Sequence, residues 1–145
     1  MRIALGSDHA GFDLKEAVKR FLAEKGHTCE DFGCDDTSSV DYPDFAFAVA
    51  DAVAEGRCER GVLICGSGIG MSMTANKVRG IRAALCHDVS GATMCRQHND
   101  ANILCLGGRV TEESLAKEIV DVFLNTDFEG GRHARRLEKM HSRRC

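Results

Sequence analysis

The sequence predicts a single doubly wound α/β domain, residues 1–145, built on a five-stranded parallel sheet. Short apolar runs alternate with stretches of helical period along the whole chain, the pattern of repeated strand–helix units. Glycine and polar turns separate these units, with no linker, internal repeat or low-complexity segment. At 145 residues, 43% hydrophobic and 28% charged, the chain has the size and composition of one globular domain.

Arg2 to Gly6 forms the first apolar run. Leu14, Ala17, Val18, Phe21 and Leu22 then recur at helical spacing, and that helix ends near Gly26. His27 to Phe32 reads as the second strand. Pro43 lies at a helix start, where its missing N–H costs nothing, and Phe45, Ala48, Val49, Ala52 and Val53 continue the period. Gly61 to Cys65 is continuously apolar, as expected of a strand buried on both faces. A glycine-rich turn leads into a helix through about Lys77. Ile81 to Cys86 is the fourth strand, Val89 to Gln97 a helix, and Ile103 to Leu106 the fifth strand. Thr111 is placed to N-cap the next helix. Glu112 and Glu113 suit the dipole of its first turn, and Leu115, Ile119, Val122 and Phe123 face inward. Gly130-Gly131 breaks the chain before a basic C-terminal helix, with Leu137 and Met140 as its packed positions. Parallel strands joined by covering helices make the expected fold Rossmann-like.

Charge and hydropathy exclude several classes. The net charge of -3 is uneven: Arg132 to Arg144 holds six Lys or Arg and one Glu, against 13 basic and 21 acidic residues elsewhere. An acidic body with one cationic segment argues against general nucleic-acid binding and for a local anion site. No apolar run approaches the roughly 18 residues of a membrane span. The N-terminus lacks the long apolar stretch of a signal peptide, so a cytoplasmic location is expected. The eight cysteines, Cys29, Cys34, Cys58, Cys65, Cys86, Cys95, Cys105 and Cys145, include no Cys-x-x-Cys pair and no zinc spacing. Most read as small core hydrophobes, and no metal or other cofactor is expected.

In open α/β sheets, ligands bind outside the carboxyl ends of the strands. Polar and flexible residues gather there: Ser7-Asp8-His9-Ala10-Gly11, Cys65 to Met71, His87-Asp88 and Gly107-Gly108-Arg109. Gly66, Gly68 and Gly70 let backbone N–H groups approach a phosphate or an oxyanion closely. The spacing is not that of a dinucleotide fingerprint, and the Gly-Lys-Ser/Thr of a P-loop is absent. A Cys-x5-Arg phosphatase is excluded because position 71 is Met71. Cys65 stands where amides favour a thiolate, although a buried packing thiol fits the same position. Ser67 serves either a substrate oxygen or the turn. Asp8 either holds a substrate or caps the first helix. Arg132 and Arg136 share one face of the last helix, which suits a phosphate dianion or a solvated surface.

Five segments occur in one order over nearly the whole chain: Gly6 to Gly11, Cys65 to Met71 with Ala75-Asn76-Lys77, His98-Asn99-Asp100-Ala101-Asn102, Leu106 to Arg109, and Phe128 to His133 with Arg136. Together they resemble the ribose-5-phosphate isomerase B family, which includes the galactose-6-phosphate isomerase subunits. The resemblance implies a metal-free aldose–ketose isomerase interconverting ribose 5-phosphate and ribulose 5-phosphate. It makes Cys65 the base that moves a proton between C1 and C2. The Gly66, Ser67, Gly68, Ile69 and Gly70 backbone becomes an anion hole for the enediolate. Ser67 assists proton movement between the oxygens, His98 opens the furanose ring, Asp8 holds the sugar, and Asn99 binds sugar or intermediate. His9, Arg109, Arg132 and Arg136 surround the phosphate. Met71 to Thr74 offers no carboxylate that could replace Cys65 as base.

His98 precedes its strand, so it belongs to the amino edge of the sheet, opposite Cys65. Both serve one site only if a second subunit brings His98. A homodimer, or a tetramer of such dimers, with composite sites is therefore expected. Three other readings are a six-carbon substrate such as allose or galactose 6-phosphate, a non-catalytic phosphosugar sensor, and a redox-responsive thiol protein.

Overall fold

The computed structural model describes residues 1–143, and Arg144 and Cys145, the latter read above as a packing thiol, lie outside them. The elements run β1 (Arg2–Ser7), α1 (Phe12–Glu24), β2 (Thr28–Asp31), α2 (Tyr42–Ala54), β3 (Arg60–Cys65), α3 (Ile69–Ala75), β4 (Ala83–Leu85), α4 (Val89–Gln97), β5 (Ile103–Gly107), α5 (Glu113–Asn125) and α6 (Arg132–His141). The five strands are parallel, in the order β2-β1-β3-β5-β4. This is the doubly wound, Rossmann-like α/β architecture the sequence predicts.

Strand alternation sorts the core into two layers. Ile3, Leu5, Val62, Ile64, Leu104 and Leu106 pack against α1, α4 and α5, while Ala4, Leu63, Cys65, Ile103 and Cys105 pack against α2 and α3. The chain leaves β1 toward β2, then crosses back to lay β3 on the other side of β1. That reversal opens a crevice at the carboxyl ends of β1 and β3. The first loop is pressed into it: the Asp8 N–H donates to the Ile64 carbonyl at 3.2 Å. Gly11 sits so close to the Ile64 carbonyl that any side chain there would collide with it.

Some boundaries and faces differ from expectation. The fourth strand is only Ala83–Leu85: the Asn102 side chain takes the Arg82 N–H at its start, and Asn76 covers its open edge at Ala83. Asn76 exchanges hydrogen bonds with the Ala83 N–H and carbonyl at 2.9 and 2.8 Å, and Asn102 Oδ1 accepts the Arg82 N–H at 2.8 Å. The same Asn76 amide donates back to the Ser72 carbonyl, stopping α3 at Ala75 rather than Lys77. Thr111 is not the cap of α5. Glu112 occupies that position, the Thr111 N–H closes a turn onto Gly107, and its buried hydroxyl has no partner among the described residues. The inner face of α5 is Ala116, Ile119, Val120 and Phe123, with Leu115 and Val122 at its flanks. On α6, Leu137 is buried but Met140 is 54% exposed. No helix among the described residues is long and apolar enough to cross a membrane.

Candidate active site

At the carboxyl rim, β3 ends in Cys65, a buried thiol whose Sγ accepts the Gly68 N–H at 3.2 Å. The turn depends on Gly68, which has φ +79° and lies against Leu85 and the Leu106 carbonyl. Ser67 Oγ accepts the Ile69 N–H at 3.3 Å, so this serine does shape the turn, with its own O–H still free to donate. The N–H groups of Gly68 and Ile69 are thereby engaged. Those of Gly66, Ser67 and Gly70 have no acceptor among the described residues. Free amides at the end of a strand, beside a sulfur, form a compact site for a developing oxyanion.

Asp8 is buried beside this loop, with Oδ1 accepting the Ala10 and Gly11 N–H groups at 2.9 and 3.1 Å. Asp8 therefore does not cap α1, whose N-cap is Gly11; one of its oxygens closes the turn ahead of the helix, and the other makes no hydrogen bond among the described residues. His9 Nδ1 accepts the Val40 N–H at 3.2 Å, which assigns the proton to Nε2 and leaves that edge as a donor. Arg109 lies across Gly66, where an added Cβ would be 3.2 Å from its Nη1. Asp8, His9, Cys65, the Gly66–Gly70 loop and Arg109 thus share one rim.

His98, Asn99, Arg132 and Arg136 do not join them. His98 caps the C-terminus of α4, before β5, and its ring stacks on His133 with centroids 4.4 Å apart and planes 13° from parallel. Glu129 donates its N–H to the Gln97 carbonyl at 3.1 Å and brings a carboxylate oxygen 3.6 Å from His133 Nε2. Arg132 and Arg136 lie exposed on α6 beside this pair, and Asn99 is exposed at the turn. Burial pushes the His133 imidazole below its ordinary range, and His98, Arg132 and Arg136 add to the effect against the pull of Glu129. Cys65 and Gly107 are paired at one end of their strands, Gly61 and Ile103 at the other. At 3.3 Å per residue the two rims are about 13 Å apart.

A family model described as Ribose/Galactose Isomerase matches residues 3–140. The chain belongs to that family. It is 52% identical to ribose-5-phosphate isomerase B of Clostridium thermocellum, with a TM-score of 0.97 over 98% of this chain and 96% of the other. The Mycoplasma genitalium ribose-5-phosphate isomerase B, whose structure holds ribulose 5-phosphate, is 44% identical with a TM-score of 0.94, covering 97% of this chain and 94% of that one. A D-erythrulose-4-phosphate isomerase of Pectobacterium atrosepticum is 45% identical over 97% of this chain and 93% of its own length.

For a member of the ribose/galactose isomerase family, two residues here escape sequence reasoning. His133 reads in the sequence as a surface or packing residue, yet it is 5% exposed and forms half of the imidazole stack. Tyr42 stands over Gly70, where a Cβ would meet its ring at 2.7 Å, and so borders the anion-binding loop. The sequence signal for His133 is its place in the Phe128–His133 segment, and nothing local marks Tyr42. His98, Glu129 and His133 place ligand-type atoms within 4.8 Å of one another. Their nearly parallel ring planes keep the two nitrogen lone pairs from converging on one ion, which disfavours a metal there.

Proposed function

We propose that the chain interconverts ribose 5-phosphate and ribulose 5-phosphate through an enediolate, in sites shared between the two subunits of a homodimer. The observation that carries this reading is the Cys65 sulfur placed beside three unengaged amides and the free oxygen of Asp8, at the crevice between β1 and β3. Ribulose 5-phosphate in a family member of the same fold names the substrate class.

In this reading His98 opens the furanose and Asp8 and Asn99 hold the sugar hydroxyls. Cys65 takes the proton from C2 of the open aldose as electrons move onto O1. The Gly66, Ser67 and Gly70 amides, in a loop shaped by Gly68 and Ile69, hold the enediolate, one such donor being worth about 3–4 kcal/mol. The Ser67 hydroxyl carries a proton from O2 to O1, and Cys65 returns its proton to C1. His9, Arg109, Arg132 and Arg136 bind the phosphate. Ile69, Met73 and Met94, exposed on the elements that carry the two rims, fit a face covered by a second copy. The enzyme acts in the cytoplasm without a metal.

The test is turnover of ribose 5-phosphate with chelator present, for wild type and Cys65→Ala. Turnover that falls by about 10²–10⁴ in a folded Cys65→Ala supports both the reaction and the base. Equal turnover removes Cys65 from the role. Absence in wild type moves the assay to four- and six-carbon sugar phosphates, and failure there leaves the sensor reading.

A further inference from the structure

Arg96 is 4% exposed, and a guanidinium so deeply buried must have its donors engaged. Its Nη1 donates to Asp100 Oδ1 at 2.7 Å and to the Ala101 carbonyl at 2.6 Å, while Nε donates to the Thr126 carbonyl at 3.1 Å. Its charge faces the Phe123 ring, 5.8 Å from the centroid. Asp100 Oδ2 accepts Arg82 Nη2 at 3.1 Å, and Arg82 Nε reaches the carbonyls of Asn99 and Asp100 at 3.1 and 2.8 Å. Asp100 has φ +44°, the one positive value outside glycine among the described residues. Two arginines therefore hold a left-handed turn immediately after His98 and Asn99. Arg96 also grips Thr126, where the chain turns toward Glu129 and His133.

From this knot we infer that Arg96, acting with Asp100 and Arg82, is a positioning residue that registers the His98–Asn99 turn against the segment leading to His133, so that both imidazoles and Arg132 face the substrate as one unit. This rests on the isomerase reading for its effect on turnover. The geometric part does not depend on it.

The test uses the whole chain with labelled histidines, comparing Arg96→Lys, Asp100→Ala and Asp100→Asn with wild type. Lysine keeps the charge but loses the planar fork. Asparagine keeps one acceptor oxygen and tolerates the left-handed conformation, and alanine does neither. Stacked rings shift each other's proton resonances, so the imidazole signals of His98 and His133 report the register directly. Expected are displaced His98 and His133 signals in Arg96→Lys and Asp100→Ala, with kcat lowered roughly tenfold or more. Asp100→Asn recovers both. Unmoved imidazole signals in the folded variants overturn the inference, as do equal losses in Asp100→Asn and Asp100→Ala. If Arg96→Lys does not fold, the Asp100 pair decides. Wild type without turnover sinks the isomerase reading, while the imidazole signals still decide the register.

Discussion

Cys65 and His98 lie on opposite rims, and that separation makes subunit sharing a quantitative prediction. The sheet puts about 13 Å of strand between the rims. A cysteine and a histidine together do not bridge that distance and also hold a pentose between them. Cys65→Ala and His98→Asn homodimers should each be nearly inactive, since both of their sites lack a necessary group. In a heterodimer of the two, one site carries both substitutions and the other carries neither. Refolding the two variants together in equal amounts forms heterodimers in about half of the dimers, each with one intact site. The mixture should recover about a quarter of wild-type activity, and heterodimer purified through two different tags about half. The coupled assay with ribose 5-phosphate reads this directly. A mixture no more active than its parents, with heterodimers demonstrably present, would refute shared sites, as would an active monomer.

Three further outcomes follow from the geometry. Gly68→Ala forces a Cβ to within 2.5 Å of Leu85 Cδ1 and 2.9 Å of the Leu106 carbonyl carbon at φ +79°, so thermal unfolding should show a loss of about 1–3 kcal/mol. Its kcat should fall as the Gly68 N–H leaves Cys65, and wild-type kcat and Tm together would contradict this account. Lys15 is 1% exposed and donates to both oxygens of Asp31 at 2.8 Å. Burial opposes the Asp31 charge, yet hydrogen bonds from Lys15, Lys19 and the Gly33 N–H prevail and hold its carboxyl below the usual range. Because the folded value is depressed, the stability it contributes is present above about pH 4 and is lost as pH falls through the folded value. Lys15→Met should flatten that acid limb in denaturant titrations, and an unchanged limb would dismiss the pair as a source of stability. Finally, His133 should titrate below 6.5 by NMR, and Arg136→Gln should move it back upward. A midpoint at or above 6.5 in wild type would argue against the burial and cationic surroundings assigned to it.

Local signals were the legible ones. The apolar period of α1 and the continuous run of β3 are read within one element, and the glycine loop after Cys65 follows from consecutive residues. Cross-chain contacts were not legible. Nothing in the sequence marks Lys15 as buried, because the carboxylate that lets it be buried lies 16 residues away on β2. Likewise His133 looks ordinary until α6 folds its ring against His98. Thr111 carries the chemistry of an N-cap, but the turn onto Gly107 ends one residue later than local preference suggests. The late start of β4 follows from the Asn102 side chain, which takes the Arg82 N–H in place of a main-chain partner. Topology alone assigns Cys65 and His98 to opposite edges of the sheet, and the structure places them there.

The close approach of Gly11 to Ile64 and of Gly108 to the Ala10 carbonyl gives the carboxyl rim a floor of main chain. Such a floor has few side chains to enlarge or trim, so on the proposed reading it would handle the reacting carbons of any aldose in much the same way. In the proposed dimer, measuring the length of a sugar would then fall to the gap between this floor and the Arg132–Arg136 face of α6 on the opposing subunit. In that dimer a small rotation of one protomer on the other would alter the gap without touching the groups proposed to move a proton. On the proposed dimer, substrate size would become a property of the docking angle, and substitutions at the subunit contact are where four-, five- and six-carbon preferences should diverge.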